Sequence, residues 1–100
     1  MIAVVFSYEA RDAEEFERVY GPDGEWARFF SRGRGYIGTE LLRDIEMRGR
    51  YLVIDRWESI DAYNTFATER RDDWMRRVDD TRYHFEQELR FGTFESVWRE

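Results

Sequence analysis

A single histidine, His84, stands among the hundred residues, and it is the only side chain here whose ordinary pKa lies near neutrality. An imidazole can take a phenolic proton, or a proton next to a carbonyl. The plainer alternative is a half-buried residue late in the last helix. Arg56 and Tyr63 are donors of the kind that hold an oxyanion, with Tyr8, Tyr20 and Tyr36 as further hydroxyls of the same type. Asp55 and Arg56 interrupt the otherwise apolar run YLVIDRW at 51–57. Buried charges need partners, and Arg43 or Glu40 on a neighbouring strand would serve. A salt bridge at a subunit interface is one reading of that pair; an anion held by Arg56 is the other. Trp26, Phe29, Phe30, Phe66 and Trp74 recur at helical spacing, together with Tyr63. Such rings either fill a core or wall a cavity for a flat ligand.

These side chains depend on a small set of elements. Residues 2–8, IAVVFSY, alternate as a strand, with Ile2, Val4, Phe6 and Tyr8 on one face. Asp12 and Glu15 have capping spacing for a helix from about 13, and Glu14–Arg18 is an i,i+4 pair. Gly21-Pro22-Asp23-Gly24 breaks that helix and can lift the next piece, around Trp26 to Phe30, away from a sheet. Strands at 36–45 and 50–58 form a hairpin. Tyr51, Val53, Asp55 and Trp57 share one face of the second; Leu52, Ile54 and Arg56 share the other. Ser59 caps a helical region predicted over 60–88, bent near Arg70–Asp73 and lined by the pairs Asp72–Arg76, Asp73–Arg77 and Arg82–Glu86. Residues 91–98 make a fourth strand.

The order βαββαβ implies an α+β, ferredoxin-like fold with a four-stranded antiparallel sheet and both helical regions on one face. One domain over residues 1–100 is expected. Strands one, three and four are apolar on both sides, at Val4 and Val5, Val53 and Ile54, Val97 and Trp98. Helices cover only one side, so a second copy is expected on the other, giving a homodimer through the open sheet face.

Composition narrows the chemistry. There is no Cys, hence no thiolate nucleophile and no zinc–sulfur site. All sixteen basic residues are Arg, and the missing Lys excludes Schiff-base and pyridoxal chemistry. One His cannot build a multi-histidine metal site, and no glycine-rich phosphate loop is present. The expectation is no metal and no cofactor. A net charge of −6 argues against nucleic acid as partner. No run is long and apolar enough for a membrane span, so a cytoplasmic protein is expected.

YGPDGEWARFF (20–30), GYIGTELLRD (35–44) and YLVIDRWESIDAYNTF (51–66) together resemble the antibiotic biosynthesis monooxygenase superfamily, across nearly the whole chain. The resemblance implies a dimeric α+β barrel. It also implies cofactor-independent monooxygenation of an aromatic or polyketide-like molecule, whose anion reduces dioxygen directly. A haem-degrading branch carries an Asn, a Trp and a His where this chain offers Ser7 or Tyr8, Phe66 and Arg76, so that activity is not expected. The oxygenase branch often carries Asn and Trp four apart on the helix after the third strand, where this chain has Ala62 and Phe66. On the oxygenase reading His84 is the base, Arg56 and Tyr63 hold the anion, and Trp26, Phe29, Phe30, Phe66 and Trp74 bind the small aromatic ligand. The alternatives are a non-catalytic ligand-binding or structural homodimer, or an isomerase or lyase using proton transfer alone.

Overall fold

The computed structural model describes residues 1–97. Strand β1 (Ile2–Ala10) leads into α1 (Ala13–Tyr20) and a short α2 (Glu25–Phe30). A hairpin of β2 (Tyr36–Arg43) and β3 (Arg50–Trp57) follows, then α3 (Ile60–Glu69) and α4 (Arg71–Thr81). One 3-10 turn (Arg82–His84) delivers the chain to β4 (Phe85–Glu95). The strands pair antiparallel in the order β2-β3-β1-β4, as the ferredoxin-like reading requires.

Local chemistry sets the helix limits. Asp12 Oδ1 accepts from the Glu15 amide at 3.1 Å, and Ser59 Oγ accepts from the Ala62 amide at 3.1 Å, so each caps an orphan donor. Gly21 ends α1, and Arg70 separates α3 from α4. Gly33 is fixed by contact: a Cβ there would sit 2.5 Å from Phe66 Cδ1 and 3.0 Å from Trp57 Cη2. The loop after α2 therefore lies directly on two core rings.

The largest departure from expectation is the end of the chain. The helical region predicted to 88 stops at Thr81, and β4 starts at Phe85 rather than 91. Phe85 and Leu89 match a helical stripe four residues apart, but β1 has nine residues whose backbone groups need partners, and 85–95 supplies them. Accordingly Arg82 pairs with Asp79, not Glu86. Asp73 draws both Arg76 (3.1 Å) and Arg77 (3.3 Å), and Arg18 turns to Glu15 (2.5 Å) rather than Glu14. Trp98, expected on the fourth strand, lies outside the described residues.

The helices cover the face carrying Ile2, Val4 and Tyr8 of β1 and Tyr51, Val53, Asp55 and Trp57 of β3, all buried. The opposite face is apolar and open. Leu89 stands opposite Ser7, Phe94 opposite Ala3 and Leu42 opposite Leu52; with Phe91, these large side chains are about half exposed. Among the described residues, no helix is long and apolar enough to cross a membrane.

Candidate functional site

Between the helices and the middle of the sheet lies a cavity of about 210 Å³. Its floor is Phe6 and Tyr8 from β1, Val53 and Asp55 from β3, and Phe85 and Glu88 from β4. Tyr20 from α1, Trp26 and Phe30 from α2, and Trp74, Val78 and Thr81 from α4 form its roof. Bulges in β4 aim Phe85 and Glu88 inward: the register against β1 shifts between Val5 and Phe6, and again between Glu9 and Ala10. Gly92, with φ of 142°, takes up the backbone turn beside the first of them.

Asp55 is the site's chemical centre. It is 8 % exposed, on a strand whose other inward residues are Tyr51, Val53 and Trp57. Its Oδ1 accepts from Thr39 Oγ1 at 2.6 Å, and no hydrogen bond reaches Oδ2 among the described residues. No cation among them pairs with it either. Burial therefore dominates and pushes the carboxyl up to about 6, with the Thr39 hydrogen bond working the other way. A carboxyl so placed titrates just below neutrality and can both take and return a proton.

The surrounding polar groups include the hydroxyls of Tyr8, Tyr20 and Thr81, the Trp26 indole N–H and the Glu88 carboxylate. Tyr8 Oη gives its proton to Glu88 Oε2 at 2.7 Å; burial, then Glu88, holds this phenol far above its usual range. Burial pushes Tyr20 up to about 12, while Thr81 and Trp26 beside its hydroxyl resist the rise. Trp26 Nε1 is buried and has no aligned partner among the described residues. An unmet buried N–H costs about 1–3 kcal/mol, which a ligand oxygen in the cavity would relieve. Trp57 Nε1 is also buried and unpartnered, but its ring belongs to the filled core.

Of the residues singled out from the sequence, the cavity brings together Trp26, Phe30 and Trp74 with Tyr8, Tyr20 and Asp55. Phe29 and Phe66 pack in the filled cluster with Trp57, and Tyr63 stands edge-on to Trp57 and Trp74. Arg56 lies on the open face, 2.9 Å from Glu40. His84 sits in the 3-10 turn, its ring tilted against Tyr83 at 4.3 Å between centroids, and it does not line the cavity. Asp55 does not join Arg43 in an ion pair, because Arg43 is on Glu17 at 2.8 Å. Its inward direction was available from alternation, since it shares a strand face with Tyr51, Val53 and Trp57. Glu88, Phe85 and Thr81 gave no such signal while that stretch read as one helix.

Fold and site together define an α+β sheet protein whose helices roof a small aromatic cavity with one buried carboxyl. The family model for antibiotic biosynthesis monooxygenase matches residues 1–76, and the chain belongs to that family. Among solved structures, it is similar to a mutant form of SnoaB, a cofactor-independent oxygenase of Streptomyces nogalater. The two share 22 % identity over 98 % of this chain and 94 % of that one, at a TM-score of 0.79. It is also similar to MhuD, a haem degrader of Mycobacterium tuberculosis with two haems bound in its active site. There the identity is 19 % over 100 % and 99 % of the two chains, and the TM-score is 0.68. Comparison with curated proteins finds no match.

Proposed function

We propose that this protein is a cofactor-independent monooxygenase acting on a compact, flat hydroxyaromatic molecule, with Asp55 as the group that takes its proton. The observation that carries the reading is the buried Asp55 carboxyl, with one oxygen unpaired, in the wall of an aromatic cavity. Family membership and the likeness to SnoaB support the same class.

The cycle needs only the ligand, dioxygen and this chain. Asp55 Oδ2 accepts a proton from the acidic methylene of an anthrone-type ring, leaving an anion that the Trp26 indole N–H and Tyr20 hydroxyl stabilise as donors. That anion passes one electron to dioxygen, and the radical pair joins through a new C–O bond. The peroxide takes the proton back from Asp55. Loss of the second methylene proton and cleavage of the O–O bond then release water and leave a carbonyl. One oxygen atom enters the ring, the other leaves as water, and the substrate supplies all the electrons.

Size favours such a ligand over a porphyrin. The cavity's 210 Å³ lies below the roughly 300–1,000 Å³ of drug-sized ligand sites. The sole imidazole, His84, is also absent from its lining. The open sheet face is the proposed homodimer interface. Phe91→Glu is expected to give a monomer in sedimentation equilibrium where the parent protein is a dimer.

The test is oxygen uptake with an anthrone and metal-free protein. Uptake above the uncatalysed rate, lost at least a hundredfold in Asp55→Asn and kept in His84→Ala, supports the reading. No uptake across several anthrones transfers the protein to the non-catalytic alternative.

A further inference from the structure

The two oxygens of Asp55 face different surroundings. Asp55 lines the cavity and its Oδ2 carries no hydrogen bond among the described residues, while Oδ1 is turned to Thr39, the residue directly opposite on β2. Thr39 has one hydroxyl proton and donates it to Asp55. Tyr36 Oη, 2.5 Å from Thr39 Oγ1, is therefore the donor in the next pair. Residues three apart on a regular strand point to opposite faces. Here the register shift between Tyr36 and Gly38 inserts one residue, Ile37, and brings Tyr36 and Thr39 to the same side. Neither residue lines the cavity. Tyr36 opens the edge strand of the sheet and is half-buried. The line of hydroxyls thus starts behind the cavity wall and ends at the sheet's margin.

We propose that Asp55, Thr39 and Tyr36 form a proton path from the cavity to the edge of the sheet, through which Asp55 exchanges its proton with water while a flat ligand closes the cavity. The inference rests on the reading of Asp55 as the proton acceptor. After Oδ2 has taken a proton, a half-turn of the carboxyl about Cβ–Cγ brings that oxygen round to Thr39. The two hydroxyls first turn, Thr39 aiming its proton at Tyr36 and Tyr36 aiming its own at water. Thr39 then accepts the proton as it passes its own to Tyr36, and Tyr36 passes its own to water, which restores the resting directions. One O–H bond breaks and one forms at each hydroxyl, so both residues end as they began. Thr39 and Tyr36 are positioning residues: they touch Asp55 and each other, not the ligand.

Deuterium wash-in distinguishes this path from a merely structural hydrogen bond. In D2O without oxygen, a proton taken by Asp55 either returns to the same carbon, leaving no mark, or is replaced by a deuteron from solvent. The ratio of anaerobic wash-in at an anthrone methylene to aerobic oxygen uptake is expected to fall tenfold or more in Thr39→Val and in Tyr36→Phe. Thr39→Ser, which keeps the hydroxyl, is expected to restore it. A ratio unchanged in both variants, because wash-in persists or because both rates fall together, overturns the path. Wild-type oxygen uptake without wash-in above background also overturns it, while leaving the oxygenase reading in place. Wash-in that requires Asp55 and Tyr36 but comes without oxygen uptake sustains the path and removes the oxygenase reading. Absence of both rates removes both.

Discussion

The helix-covered face of the sheet has two halves built from the same material and put to different use. At one end Ile2, Val4, Phe29, Phe30, Trp57 and Phe66 close on each other, with Phe29 and Trp57 almost fully buried. The Phe29 ring meets Phe66 at 5.0 Å and Trp74 at 6.1 Å, edge to face, and the Arg77 guanidinium lies 4.2 Å from its centre. Toward the other end the rings of Tyr8, Tyr20 and Phe85 also pack at about 5 Å, yet they border a cavity, and the groups beside it include Asp55 and Glu88. Aromatic content does not separate the two halves. What separates them is the break at Gly21–Gly24 between α1 and α2, and the early start of β4, which brings Phe85 and Glu88 under α4. One half secures the fold, and the other holds a carboxyl in a place that costs stability.

The comparison breaks most visibly at Phe29. Phe29→Ala is expected to lose about 3–5 kcal/mol in urea denaturation, because the close-packed end cannot collapse around the void. Val78→Ala, at the cavity wall, is expected to lose about 1 kcal/mol. Equal losses would mean that the two ends are packed alike.

Asp55 sharpens the contrast through pH. Its folded pKa of about 6 exceeds the ordinary 3.8, so the folded protein binds this proton more tightly than the unfolded chain. The Asp55 contribution to stability is therefore greatest below about 4 and is lost as pH rises to about 6. The difference amounts to ~3 kcal/mol. Asp55→Asn keeps an oxygen for Thr39 and removes the charge. It is expected to be more stable than the parent by about 2–3 kcal/mol at pH 7 and equal to it near pH 4, measured by denaturation at each pH. Glu17 and Asp44 have lowered pKa values, held by Tyr51 and Arg43 in one case and by backbone amides and Arg50 in the other. They act in the opposite direction, losing stability on acidification, and are common to both proteins in the comparison. A variant less stable than the parent at pH 7 would contradict a carboxyl held at a cost. The smallest effect concerns Trp26. Trp26→Phe keeps a ring and removes the unpartnered N–H, so ligand affinity is expected to fall by about 1 kcal/mol, five- to tenfold, in calorimetry.

The fold was legible because alternation and capping are local. Tyr51 to Trp57 alternate in burial as their sequence requires, and Asp12 and Ser59 cap where their spacing placed them. The site was legible in its roof, since Trp26, Phe30 and Trp74 lie on helical stripes that face the sheet. Its floor was less so. Phe85 to Leu89 carry a spacing that suits a helix, and only the nonlocal demand of β1 for a partner makes them a strand. Asp55 was visible as an anomaly in an apolar run, but whether it meets an Arg or a cavity depends on where Arg43 and Glu40 go, and they go to Glu17 and Arg56. The pairing of Tyr36 with Thr39 depends on a bulge at Ile37 that no local pattern announces.

The most direct test of Asp55 as the proton acceptor is the pH dependence of kcat/KM for oxygen uptake with an anthrone. A rise through a midpoint near 6, with Asp55→Asn at the uncatalysed rate across the range, is the predicted result. An unshifted profile with full activity in Asp55→Asn would contradict it, and would leave the buried carboxyl without a part in the chemistry.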